Sequence, residues 1–510
     1  MRSDIRRECK SLWVTVKNVT GDKPKDESRR KFMKYGAGAA VVAAAAAAGY
    51  YGYQATQPAQ PQPAQPTEVT KTVVTTAAPT KAPATIKIGH SSGVTGYLAA
   101  AEQLCSMWYN LWLELVNSKG GIYVKEYGQK LPVSLIIYND RGETDTAARM
   151  FERLITVDNV SCLWGSYGTF MSFALQPVVN KYKVPCIASN AAPIVIDDPN
   201  EYERIYKEGD YFRDKEGKPW YEWNYMLWNE MSYYHEMEAL YKALINAGVK
   251  TVAVWEIETL FGVENRREFQ HFVDKYGGLE IVTHKAYPFG ITDFGSIISD
   301  AQGKNVDAVV QFSYPGDSWI STQQMIERNY NPKLFYNALG MAYEEAYRRF
   351  GVNNDGICSH GAGFASKAKT QGPYGTAGDL LKLYKSRYNE VPDFVDGAIA
   401  FATMELLEQA IERAGTLDRQ AIYQELLKAK DNPIPTIIGP VGWDRGPWNE
   451  KRQGTILQSQ NLGSPNPPES GFDQEIISSA NGGTAKLPGL VEVDLTTASL
   501  LYPKPAWRKT

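Results

Sequence analysis

Short apolar runs alternate with segments of helical period along most of the chain, and residues 160–192 show the pattern most clearly. An apolar run at 160–164 (V-S-C-L-W) meets a turn of glycine and hydroxyl residues at 165–169. A helix-like segment follows to Lys181, then a second apolar run at 184–188, closing on Ser189-Asn190-Ala191-Ala192. Two short buried strands bracketing a helix predict a βαβ unit, hence a parallel pair. Upstream, residues 85–90 read as a strand. Residues 99–117 read as a helix with apolar positions at Leu104, Met107, Trp108, Leu111 and Leu115, stopped by Gly120-Gly121. Residues 131–138 read as a strand and 144–157 as a helix, so this half is β-α-β-α-β-α-β, a doubly wound α/β array.

The pattern then repeats. Residues 225–247 read as a helix, 251–256 as a strand, 261–276 as a helix, 281–286 as a strand and 293–302 as a helix. Strand 308–312, helix 318–328 and strand 333–337 complete a second array. Helices at 374–388 and 396–414 follow, and short strand-like pieces at 454–459 and 474–478 end the pattern. Two Rossmann-like lobes of this kind predict a cleft between them, where a ligand is commonly enclosed. In open parallel sheets the ligand lies beyond the carboxyl ends of the strands, which places 165–169 and 189–192 at the candidate site.

Charge changes the picture at the N-terminus. The net charge is −3, yet the first 34 residues carry eleven Lys/Arg against five Asp/Glu, which leaves about −9 on the remainder. An acidic main body argues against nucleic acid as a partner. The basic leader ends in S-R-R-K-F-M-K at 28–34, before nineteen residues (35–53) of Ala, Gly, Val and Tyr only. This resembles a twin-arginine (Tat) export signal, and the apolar segment is also long enough for retention as a membrane anchor. Residues 54–85 are rich in Pro, Gln and Thr, cannot bury a core and read as a tether. No apolar segment follows the globular part before Thr510, so attachment to a membrane is expected through residues 35–53 alone.

Enzymatic constellations are missing from the sequence. There is no G-x-x-x-x-G-K-S/T, His235-Glu236 has no second His at zincin spacing, and Gly165-Ser166-Tyr167-Gly168 lacks the spacing of a nucleophile elbow. Five widely spaced cysteines give no zinc pattern; Cys162 and Cys186, in neighbouring predicted strands, could lie near enough to pair but read rather as buried free thiols. No cofactor or metal is expected.

Residues 86–507 resemble the extracellular solute-binding proteins of ABC importers, of the leucine/isoleucine/valine-binding, type I periplasmic binding protein kind. The marks are I-K-I-G with a turn ending Thr95-Gly96, helix one ending N-S-K-G-G-I, Y-N-D and V-P-C-I at strand ends, and T-V-A-V-W-E-I-E-T-L-F-G. T-D-F-G-S-I-I before V-D-A-V-V, and the closing L-L-Y-P-K-P-A-W, complete the set. The resemblance implies lobe one at 86–224 and 363–435, lobe two at 225–362 and 436–500, a three-crossover hinge, and a tail at 501–510. It implies closure on a small amino-acid-like solute and delivery to an ABC permease with its ATPase subunits. By position, Ser166, Tyr167, Thr169, Asn190, Ala191 and Ala192 would grip a ligand carboxylate, with Phe261 and Tyr314 closing over it. Tyr97 and Leu339 join the candidate site, with Trp228 and Trp319 as further aromatics near the cleft. One departure matters: the segment 335–340 (F-Y-N-A-L-G), where the family places an acid against the ligand ammonium, has none. Either Asp317 or Glu258 takes that role, or the solute is an amide, a urea-like compound or a carboxylic acid. A ligand-sensing receptor domain is the alternative to transport.

Overall fold

The computed structural model describes residues 81–191, 205, 210–214, 216–230, 233–361, 370–389, 391, 395–451, 455–462, 475–479 and 499–508. The expected leader and anchor, the tether up to residue 80, and Ala192 lie outside the described residues.

The first array opens with β1 (Ile86–Ser92), α1 (Ala99–Ser118), a small hairpin of β2 (Ile122–Val124) and β3 (Gln129–Leu131), and β4 (Val133–Asn139). It continues with α2 (Thr144–Thr156), β5 (Cys162–Trp164), α3 (Thr169–Tyr182), β6 (Cys186–Ala188) and β7 (Met226–Trp228). The periodicity of α2 shows why it forms: Ala147, Phe151, Leu154 and Ile155 are buried on one stripe while Asp145 sits in its first turn. At the end of α1, Gly121 has φ +95°, and a Cβ there would fall 1.9 Å from the Leu131 carbonyl oxygen. Only glycine fits that reversal. The five strands form a wholly parallel sheet in the order β4-β1-β5-β6-β7. Cys162 and Cys186 are buried free thiols on adjacent strands, Cys186 pairing in register with Leu163.

The second array runs α4 (Tyr233–Asn246), β8 (Thr251–Ile257), α5 (Leu260–Tyr276), β9 (Glu280–Tyr287), α6 (Gly295–Gly303) and β10 (Ala308–Phe312). It then adds α7 (Pro315–Glu327), β11 (Leu334–Asn337), α8 (Glu344–Phe350) and β12 (Ile357–Gly361). Its sheet is ordered β18-β17-β12-β11-β10-β8-β9, parallel from β9 to β12. The last two strands, β17 (Thr455–Gln458) and β18 (Glu475–Ser479), add antiparallel to that edge.

Between β12 and β17 the chain goes back to the first array. A two-stranded ribbon of β13 (Gln371–Gly372) and β14 (Gly375–Thr376) leads into α9 (Ala377–Tyr388), α10 (Val395–Ala414) and α11 (Arg419–Leu427). A second ribbon, β15 (Ile434–Thr436) and β16 (Gly439–Val441), follows. Helix α10 lies along α1. They pack tightly at Gly397, where a Cβ would meet the Trp108 indole at 2.0 Å. The tail folds against the second array: the Lys504 N–H donates to the Lys333 carbonyl at 2.7 Å and the Trp507 indole donates to the Tyr330 carbonyl at 2.7 Å.

The doubly wound α/β expectation holds for both arrays. One expected element is divided, and the short β2–β3 hairpin, α8, β12 and α11 were not expected. Residues 225–247, read as one helix, divide into β7 and α4. Met226-Leu227-Trp228 is a three-residue apolar run, too short for its period to separate a buried strand from a helical turn. Because β7 pairs with β6, the first sheet extends past the expected lobe boundary at 224/225. Among the described residues no helix is long and apolar enough to cross a membrane.

Candidate functional site

The loops after β5 and β6 expose a sharply turned backbone. Gly168 has φ +96° and hands the chain to α3, whose first residue is Thr169; Asn190 is left-handed at φ +53°. These loops border a narrow cavity lined by Tyr167, Gly168, Thr169 and Asn190 from the first array. Glu230 and Tyr233, just past β7, form another wall. The second array contributes Phe261 after β8, Tyr314 after β10, Leu339 after β11 and His360 in β12, and Asp396 of α10 completes the lining. Nearly every lining residue follows the carboxyl end of a parallel strand, as open α/β sheets require.

The structure brings together Tyr167, Thr169, Asn190, Phe261, Tyr314 and Leu339 of the expected residues. It does not bring Ser166, Ala191 or Tyr97 to the wall. Ser166 is buried and spends its hydroxyl on the Ser91 carbonyl at 2.6 Å and the Asp140 carboxylate at 3.1 Å, bracing the loop from behind. Trp228 is fully buried in the core, and Trp319 donates its indole N–H to the Gly340 carbonyl at 3.0 Å. Asp317 accepts from Tyr97 at 3.0 Å, Tyr287 at 2.7 Å and the Tyr314 N–H at 3.1 Å, off the cavity wall, and Glu258 is exposed. Neither lines the cavity.

Two other carboxylates do face the cavity. Asp396 is buried and accepts from the Tyr167 hydroxyl at 2.8 Å, the Asn190 amide at 3.1 Å and the Tyr343 hydroxyl. Burial pushes its carboxyl above the usual carboxylate range, and these three donors pull it back. With its acceptor sites filled by neutral donors, Asp396 orients the walls. The Asn190 amide, expected to reach the ligand, is committed to Asp396 through both its carboxylate and its carbonyl, the latter at 3.0 Å. Glu230 is 3% exposed and accepts from the Tyr233 hydroxyl at 3.2 Å. Burial, then the Glu230 and Glu236 carboxylates, drive the Tyr233 hydroxyl well above its ordinary pKa.

The remaining lining is aromatic and sparingly polar. Phe261 and Tyr314 stack at 5.2 Å between ring centroids, and Tyr167 leans on Tyr314 at 6.4 Å. The buried Tyr314 hydroxyl has no hydrogen-bond partner among the described residues. His360 pairs through Nδ1 with the buried Glu236, which also accepts from the Tyr336 hydroxyl at 2.9 Å. Lys and Arg do not occur among the lining residues. The arrangement therefore offers a helix N-terminus and a threonine to an anion, a buried carboxylate to a cation, and aromatic faces to an apolar group.

Sequence reading missed Glu230, Tyr233, His360 and Asp396. Reading 225–247 as one helix hid the turn after β7 in which Glu230 sits. The strand Ile-Cys-Ser-His-Gly of β12 has too few apolar residues to register as one. The available signal for Glu230 was an acid two residues after a buried M-L-W run.

Comparison with known proteins agrees with this architecture. The Leu/Ile/Val-binding protein homolog 7 of Brucella abortus (strain 2308) is 24% identical over 357 residues, covering 69% of this chain and 82% of the relative. The branched-chain amino acid transporter substrate binding protein LivJ from Streptococcus pneumoniae, solved with isoleucine, superposes with a TM-score of 0.60 at 19% identity. The match covers 77% of this chain and 99% of that one. A solute binding protein of an ABC transporter from Rhodopseudomonas palustris BisB5, solved with 3,4-dihydroxy benzoic acid, gives 0.61 at 17% identity, covering 80% and 99%. The family model described as periplasmic binding protein matches residues 85–458. With two doubly wound sheets meeting at one cavity, the chain belongs to the periplasmic binding protein family and has its type I fold.

Proposed function

We propose that the protein is the extracytoplasmic solute-binding component of an ABC importer, closing two lobes on an α-amino acid with a compact apolar side chain. It would then deliver that solute to a membrane permease served by ATPase subunits. A binding protein, not an enzyme, is what the family supplies. The observation that carries the amino-acid reading is Glu230: a buried carboxylate lining a cavity that also presents a helix N-terminus and aromatic rings. An ammonium taken out of water needs a counter-charge, and Glu230 supplies the acid that the segment 335–340 lacks. The ligand carboxylate would lie at Thr169 and the first turn of α3, where backbone N–H groups and the helix dipole favour an anion. The relatives' names support the same class, since a homologue is named for Leu/Ile/Val and a structural neighbour holds isoleucine.

A carboxylic acid without an ammonium is the second reading. The four rings of Tyr167, Tyr233, Phe261 and Tyr314 favour it, as does the neighbour that holds 3,4-dihydroxy benzoic acid. A thermal-shift panel decides between the two. A ligand at a hundred times its dissociation constant stabilises by about 2.7 kcal/mol. Leucine, isoleucine or valine is expected to raise the melting temperature, with benzoate and 3,4-dihydroxybenzoate silent. The reverse result would replace the amino-acid reading with the second.

Within the amino-acid reading, Thr169→Ala is expected to weaken leucine binding by about 1–3 kcal/mol, the cost of leaving a buried carboxylate oxygen short of a donor. Calorimetric titration of the variant measures this, and an unchanged dissociation constant removes Thr169 from the ligand's contacts. The export signal, the anchor at 35–53 and the tether at 54–85 belong to the same proposal: a binding domain held at the outer face of the membrane.

A further inference from the structure

Tyr97 stands outside the cavity, yet it makes a direct contact between the two arrays near its rim. It lies between β1 and α1 of the first array. Its hydroxyl donates to Asp317 at the start of α7 in the second array, at 3.0 Å. Its ring meets Phe289, which follows β9, with centroids 3.7 Å apart. Phe289 also meets Phe170 of α3 edge-on at 6.0 Å, so a ring of the second array sits between two rings of the first. On its own side Phe289 touches Tyr314, a cavity residue, at 6.3 Å. Both Tyr97 and Phe289 remain about two-fifths exposed, at 40% and 39%. They therefore form a rim beside the ligand rather than part of its wall.

We propose that Tyr97, Phe289 and Asp317 form a latch that holds the lobes together over bound solute and sets how long the solute stays. The inference rests on the lobe-closing reading above. Asp317 is suited to a bond that makes and breaks. It keeps the Tyr287 hydroxyl at 2.7 Å and the Tyr314 N–H at 3.1 Å, both from its own array, when Tyr97 leaves. Opening thus exchanges one tyrosine hydroxyl for water without stranding a buried carboxylate. Phe289 loses two ring contacts on opening and regains them on closure. None of these contacts involves the ligand, so the latch acts on closed-state lifetime and leaves the order of preference among solutes unchanged.

Full-length wild type, Tyr97→Phe and Phe289→Ala are compared by stopped-flow release of leucine and by small-angle scattering with and without leucine. Tyr97→Phe keeps the ring and removes only the hydroxyl. Each variant is expected to release leucine about tenfold faster with its association rate changed by less than about twofold. Their melting temperatures without ligand should match wild type, and their radii of gyration without ligand should exceed it. Release rates equal to wild type in both variants overturn the latch. If wild type binds no leucine, the proposed function fails instead. The ligand-free scattering then decides the latch alone, and equal radii for wild type and Phe289→Ala overturn it.

Discussion

Glu230→Gln is expected to reduce the affinity for leucine by about a hundredfold or more, since breaking one side of a buried ion pair costs about 3–5 kcal/mol. Glutamine keeps the side-chain length and an oxygen for the Tyr233 hydroxyl that Glu230 now accepts at 3.2 Å, so the wall keeps its shape while the charge goes. The same substitution has the opposite sign for a ligand without an ammonium. A benzoate-type anion next to Glu230 faces a buried like charge, and removing that charge should leave its binding unchanged or tighten it. Titration of wild type and variant with leucine and with benzoate gives four numbers. Loss for leucine alone supports the ion pair; equal affinity for leucine in both proteins removes Glu230 from the site and with it the amino-acid reading.

The second large effect is expected at Asp396, and it falls on stability as well as binding. Asp396→Ala removes the carboxylate that accepts from the buried Tyr167 and Tyr343 hydroxyls and from the Asn190 amide, which keeps only the Asp396 carbonyl. Each orphaned buried donor costs about 1–3 kcal/mol, so a loss of about 3–5 kcal/mol is expected after relaxation. Asp396→Asn, which retains one acceptor oxygen, should lose less. A fall in melting temperature for alanine larger than for asparagine, with leucine binding lost in alanine, is the expected result. An alanine variant as stable as wild type would show that these donors find other partners. Tyr167 comes from the first array, Tyr343 from the second and Asp396 from the returning helix α10, so the substitution tests the junction of all three.

How far the sequence revealed this is clearest at individual residues. Thr169 and Asn190 were legible because small polar residues end two buried strands of a βαβ unit, and strand ends place loops. Phe261 and Tyr314 came from the family resemblance and do line the cavity. Tyr97 was expected at the ligand and instead bridges to Asp317, since the short connection between β1 and α1 gives no local signal of which way an aromatic points. Glu230 was hidden because 225–247 read as one helix, whereas Asp396 was illegible for a different reason: its role comes from contacts across long sequence separations, reaching Tyr167 from 229 residues away, and such pairings leave no periodicity. The hydrophobic pattern thus reports which face of an element is buried, but not which distant element covers it.

The return of α10 to the first array has a consequence for how this chain reaches its native state. The first sheet is complete in sequence at Trp228, but the helix that covers α1 begins only at Val395, after the strands of the second sheet as far as β12. Emerging from a ribosome, the N-terminal half would expose apolar surface on α1, including the face at Trp108 that receives Gly397, until most of the chain is made. Folding of the first lobe during synthesis is therefore expected to wait until the strands of the second sheet as far as β12 have been made. Cutting the chain after residue 361 should yield no stable first lobe, and a partner that shelters the nascent α1 surface would shorten the wait.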